Sequence, residues 1–148
     1  MDYTHGHFTT STDITRMDIA VIHGYLSQES YWAPGVPLAV VQKSIENSLC
    51  FGVFDNETGQ QIGFARMITD RATFAYLADV FILPNYRGQG LSKWLMTCIL
   101  SHPDLQGLRR IILATRDAHG LYAQFGFGPL GRPERWMDIH NPDVYKQA

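Results

Sequence analysis

The chain has 148 residues, 45% apolar and 18% charged, with 12 basic against 14 acidic side chains and a net charge of −2. That balance builds one folded unit over residues 1–148 and excludes both a disordered chain and a second full domain. No basic excess exists to neutralise a phosphate backbone, so a nucleic-acid partner is not expected. No apolar stretch approaches a bilayer span, so no membrane partner is expected either. The opening MDYTHGHFTT lacks the basic start and apolar run of a secretory leader, and the expected compartment is cytoplasmic. Cys50 and Cys98 both lie in apolar stretches and read as buried free thiols.

In chain order, Ser11, Thr12 and Asp13 are good caps for a helix from about Asp13 to Ser27, with Ile14, Met17, Val21 and Tyr25 at helical spacing. Residues 31–36 (YWAPGV) form a loop by their Pro and Gly. A second helix starts near Pro37, with Leu38, Val41 and Ile45 on one face. Three strands follow, Leu49–Phe54, Gln61–Thr69 and Thr73–Leu83, as an antiparallel meander. The second should alternate Ile62, Phe64, Arg66 and Ile68 on one face, and the third carries a single charge, Asp79. Leu91, Trp94, Leu95, Cys98 and Ile99 mark a helix over 90–101. Arg110–Thr115 is a short strand, Ala118–Phe125 a short helix capped by Asp117, and Trp136–Ile139 a candidate last strand. The order αα, βββ, α, β, α, β implies a mixed α/β sheet with helices on its faces.

The most informative segment is Val80 to Lys93. A long strand ends at Pro84, a turn with Arg87, Gly88 and Gly90 follows, and a helix begins at once. Such a turn aims backbone N–H groups at one point before a helix N-terminus, where the macrodipole favours an anion and glycine permits close approach. A P-loop needs Lys directly after its last Gly, but here Lys93 lies three residues past Gly90. A dinucleotide G-x-G-x-x-G fails because Lys93 stands where the third Gly belongs.

The pattern that fits is R-x-x-G-x-[GA], read here as Arg87-Gly88-Gln89-Gly90-Leu91-Ser92 with Ser as the last small residue. It resembles the coenzyme-A pyrophosphate loop of the GNAT N-acetyltransferase superfamily. Downstream, Ala118, Leu121, Tyr122, Gly126 and Phe127 resemble the second signature of that family, A-x-x-L-Y-x-x-x-G-F. The Asn that often opens that helix is missing, and Thr115, Arg116 and Asp117 occupy the region.

The resemblance implies a single domain with a mostly antiparallel twisted sheet, splayed between its fourth and fifth strands, and acetyl-CoA as co-substrate in the gap. The backbone of Val80, Phe81 and Ile82 would pair with the pantetheine arm as an added strand. An N–H near Val80 would polarise the thioester carbonyl. Arg87, Gly88, Gln89, Gly90, Leu91 and Ser92 would hold the phosphates, with Asp117 on the pantetheine side. A primary amine of a small molecule or peptide would attack the thioester directly, and Tyr122 would protonate the departing thiolate. The family often forms homodimers. The competing reading is a GNAT-like module that binds acyl-CoA as a sensor without turnover.

Asp79 has three readings of equal weight: general base, anchor for the substrate ammonium, or structural partner of Arg66 or Arg71. His119 and Tyr76 are further base candidates. Tyr31 and Trp32 sit in the loop that walls the acceptor pocket in this family, where aromatic faces suit a cationic or apolar amine, although packing of the loop onto the core explains them equally well. Arg109 and Arg110 read as solvated, near the 3′-phosphate of CoA. His5 and His7 have no third ligand spaced with them, so no metal site is expected.

Overall fold

Six strands lie side by side in chain order in one sheet: β1 (Asp2–His5), β2 (Phe8–Ser11), β3 (Leu49–Asp55), β4 (Gln60–Thr69), β5 (Phe74–Ile82) and β6 (Arg110–Leu113). Neighbours run antiparallel except β5 and β6, which are parallel. Four helices complete the architecture: α1 (Ile19–Gln28), α2 (Leu38–Glu46), α3 (Leu91–Ser101) and α4 (His119–Ala123). The computed structural model describes residues 1–146. Among them, no helix is long and apolar enough to cross a membrane.

Alternation along the strands divides the core between the two faces. Phe51, Val53, Ala65, Met67 and Leu77 pack with Leu95, Met96 and Ile99 of α3. Cys50, Phe64 and Phe81 pack on the other face with Ile22 and Leu26 of α1 and Val41 and Ile45 of α2. The stripe expected on residues 90–101 is the buried face of α3: Leu91, Leu95, Cys98 and Ile99 are at most 3% exposed.

Several expectations change. The N-terminal segment is not a lead into a helix but a hairpin, β1–β2, whose second strand pairs with β3. Asp13 caps only a 3-10 turn, Ile14–Arg16, and Asp18 caps α1 by accepting from the Val21 amide at 3.2 Å. The expected splay is present, between the strands numbered β5 and β6 here. On β4, Ile62 and Phe64 face opposite ways, because a register shift at this point of the β3–β4 pairing breaks the alternation. Trp136–Ile139 forms no strand. It follows a 3-10 turn, Pro133–Arg135, as irregular chain, and β6 keeps an unpaired outer edge. Finally, α4 starts at His119, with Ala118 rather than Asp117 at its cap position.

Candidate active site

Pairing of β5 with β6 runs from Phe74↔Arg110 to Leu77↔Leu113 and stops, while β5 continues to Ile82. The splay therefore opens at Ala78. On the other side, β4 pairs with Ala78 and then with Phe81, so Asp79 and Val80 form a bulge without register partners. Asp79 takes a left-handed backbone, φ 56°, a conformation that Asp tolerates better than most residues. The extra residue also flips the alternation. Leu77 faces α3, whereas Phe81 faces α1 and stacks on Tyr25 at 4.1 Å.

Beyond β5, Pro84–Tyr86 makes a 3-10 turn and α3 begins at Leu91. Gly88 and Gly90 have φ of 82° and 76°, which a side chain would strain. Among the described residues, no acceptor takes the amides of Gly88 through Lys93, and the first helical bond is Trp94 N–H to the Gly90 carbonyl at 3.1 Å. These donors without protein acceptors stand at the positive end of α3, a chemistry that suits an anion. The side chains play other parts. Arg87 turns back, donating to the Ile82 carbonyl and the Tyr25 hydroxyl, both at 3.0 Å, so it braces the loop. Gln89 donates to the Tyr86 carbonyl. Leu91 is buried in the core and offers only backbone. Ser92 is half-buried in the first turn of α3.

Asp79 is engaged at both oxygens. Arg66 Nε donates to one at 2.8 Å and Trp32 Nε1 to the other at 2.8 Å. Both members of the ion pair are largely buried, and Arg66 also donates to Ser48. Of the three readings of Asp79, the Arg66 partnership is the one the fold displays. It also ties the loop after α1 to β5. Tyr31, edge-on to Trp32 with centroids 5.0 Å apart, ties the same loop to the far side of the splay, where its hydroxyl accepts from the Arg116 amide at 2.9 Å. The Arg116 guanidinium lies 4.0 Å over the Tyr31 ring.

Tyr122, on α4, is 9% exposed. Burial first, and then the neighbouring Tyr31, push its phenol above the usual tyrosine range. It lines a cleft of about 940 Å³ along the outer edge of β6, together with His119 and Thr115. Thr115 supplies the polar contact at the start of α4, accepting from the Ala118 amide at 3.0 Å. Asp117 is exposed and turned to Arg116, 3.6 Å away. Neither the Gly88–Gly90 turn nor Val80 lines that cleft. Tyr31, from the loop after α1, lies near enough to Tyr122 to act on its phenol.

Burial pushes the Cys50 thiol up to about 12 and also raises Cys98, so neither is a ready nucleophile. Arg110 starts β6 opposite Phe74, and Arg109 just before it donates its amide to the Thr73 carbonyl, so both lie at the far end of β5 from the glycine turn, away from any phosphate held there. The sequence reading missed Tyr86, whose hydroxyl donates to Asp55 at 2.9 Å and fixes the turn before Arg87, and the role of Tyr25 as acceptor for Arg87. Adjacency to the glycine turn was the only signal for Tyr86. His7 does gain close carboxylates, from Asp55 and Glu57, with ligand atoms within 4.8 Å of one another. The Asp55 oxygens already accept from Tyr86 and the Glu57 amide.

The sequence model of the Acetyltransferase (GNAT) family matches residues 19–127. A Gibberella zeae protein provisionally named an acetyltransferase is 33% identical over 143 residues, covering 83% of this chain and 80% of its own. A Xanthomonas campestris crystal structure assigned to the GNAT family superposes with a TM-score of 0.93 at 53% identity, over 97% of this chain and all of the other. A Clostridium acetobutylicum chain solved with acetyl-CoA shares the fold alone, with TM-score 0.67 and 14% identity over 90% of this chain and 94% of the other. With these likenesses added to the splayed strands and the glycine turn, the chain belongs to the GNAT family of acetyltransferases.

Proposed function

We propose that this chain transfers an acetyl group from acetyl-CoA directly to a primary amine of a small molecule or peptide, without an acyl-enzyme. The observation that carries the reading is the row of uncommitted amides from Gly88 to Lys93 at the end of a strand that has parted from its parallel neighbour. The thioester would supply an activated acetyl group. The residues of this chain would do the rest. The amides of Gly88, Gln89, Gly90, Leu91 and Ser92 bind the diphosphate, with Arg87 holding the turn in shape. The backbone of Val80 to Ile82, past the end of the β5–β6 pairing, aligns the pantetheine arm as an added strand, and a Val80 N–H stabilises developing negative charge on the carbonyl oxygen. Asp117 sits on the pantetheine side of this arrangement.

Tyr31 and Trp32 wall the acceptor pocket, and Asp79 acts on the acceptor by positioning Trp32. Tyr122 gives its proton to the departing sulfur, a task suited to a phenol kept protonated by burial. Two buried thiols held in their neutral form agree with a route that needs no cysteine nucleophile.

The test is release of free CoA with a panel of amines, in the native chain and in Tyr122→Phe. Amine-dependent release that falls at least about tenfold in the variant supports the reading. CoA binding with no amine raising release above background hydrolysis would replace it with a sensor module.

A further inference from the structure

Tyr25 lies in the last turn of α1, half-buried, and meets three other parts of the chain. Its ring stacks flat on Phe81 of β5, with centroids 4.1 Å apart and an interplanar angle of 11°. The Trp32 ring lies 6.4 Å away and tilted. Its hydroxyl accepts from Arg87 Nη2 at 3.0 Å, while Arg87 Nε donates to the Ile82 carbonyl at 3.0 Å. The stack on Phe81 denies the ring its own freedom, so the hydroxyl is a fixed acceptor.

Both acceptors of Arg87 are neutral. Among the described residues, its guanidinium pairs with no carboxylate. A carboxylate in place of the Tyr25 hydroxyl would fix the same donor and cancel its charge. The phenol fixes it and leaves the charge standing, one residue before Gly88 and the amides without protein acceptors. Arg87 is otherwise exposed. A loose arginine would give up its rotamer freedom when an anion binds, whereas one held by two fixed acceptors has already done so.

We propose that Tyr25 is a positioning residue for coenzyme A. It holds the Arg87 guanidinium ready beside the diphosphate turn, and it does so without neutralising it. The inference rests on the acetyl-CoA reading and adds to it a residue outside both sequence motifs, 62 positions before Arg87. The expected effect is on binding and not on the acetyl-transfer step.

The test is calorimetric titration of CoA into the native chain, Tyr25→Phe, Arg87→Met and the double variant. Phenylalanine keeps the stack on Phe81 and the neighbourhood of Trp32 and removes only the acceptor. CoA affinity should fall about fivefold to tenfold in Tyr25→Phe and at least as far in Arg87→Met. In the Arg87→Met background, Tyr25→Phe should add less than about twofold, since the hydroxyl then has no cation to hold. In steady-state assays of Tyr25→Phe, KM for acetyl-CoA should rise by the same factor with kcat unchanged, a split that a general loosening of the fold would not give. Native CoA affinity in Tyr25→Phe overturns the inference and leaves the acetyl-CoA reading standing. So does a full loss on top of Arg87→Met, or a fall in kcat with KM unchanged. A native chain that binds no CoA overturns the acetyl-CoA reading and the inference together.

Discussion

Trp32 and Asp79 are 47 residues apart in sequence, yet the indole N–H of one donates to a carboxylate oxygen of the other at 2.8 Å. The second oxygen belongs to Arg66. This three-residue hub fixes the loop after α1 against the bulge where β5 leaves β6, and it makes the position of that loop depend on a buried ion pair.

Removing the carboxylate should be costly. Asp79→Ala leaves Arg66 charged, largely buried and without its partner, which costs about 3 kcal/mol. For a chain of this size that lowers Tm by about 6–12 °C. Calorimetry on the variant checks it, and a fall under 2 °C would show that Arg66 finds water at once.

Trp32→Phe keeps the aromatic wall and removes only the donor. Losing a hydrogen bond to a charged group should raise KM for the best acceptor about fivefold to tenfold. The dissociation constant for CoA should stay unchanged, because the glycine turn is untouched. Calorimetric titration of CoA beside acceptor kinetics separates the two. A matched loss in both would make Trp32 part of the general fold instead of the acceptor wall.

Gly90→Asp combines a strained left-handed residue with negative charge at the mouth of the amide row. CoA affinity should fall at least about a hundredfold, while Gly90→Ala should lose about tenfold or less. Binding of CoA to the aspartate variant with native affinity would place the diphosphate elsewhere.

The acid proton of Tyr122 should remain available well into the alkaline range. Its folded pKa is raised, so the protonated donor persists above the pH at which a free phenol ionises. The expected profile of kcat holds up past pH 10 and falls beyond it, and Tyr122→Phe lacks that limb. A limb that survives the substitution belongs to another group.

Asp55 offers a stability test at the other end of the scale. Burial works to raise its pKa, but bonds donated by the Glu57 amide and the Tyr86 hydroxyl, with His7 nearby, outweigh it and hold the carboxyl below its usual range. A depressed folded pKa contributes stability above the unfolded value of about 3.9, lost as pH falls through the folded value. Tyr86→Phe removes one of those donors. Its Tm deficit should therefore be widest above about pH 5 and shrink below about pH 3. A deficit independent of pH would show that Tyr86 matters for packing alone.

Much of this fold could be read from local pattern. The meander of β3 to β5 and the stripe of α3 are periodic over their own lengths, and the glycine turn sits between them as expected. The hairpin β1–β2 was hidden because DYTH and FTTS carry little apolar signal, and only pairing with β3 makes them strands. Trp136–Ile139 failed the other way: it has a strand's alternation, but no neighbour within the described chain. At the site, the glycine turn and Tyr122 were legible as motifs. The links from Trp32 to Asp79, Arg87 to Tyr25 and Tyr31 to the Arg116 amide were not, since each spans 47 residues or more and arises only from tertiary packing.

The bulge at Asp79 has a consequence for how sequence length can vary here. Most strand ends tolerate trimming, since the loss is absorbed by the next turn. Deleting one residue between Leu77 and Phe81 would instead invert every side chain downstream, driving Phe81 toward α3 and exposing the Tyr25 ring it stacks on. It would also draw β5 back into unbroken pairing with β4 and pull the glycine turn out of line. A one-codon deletion should therefore be more damaging at this point than most substitutions.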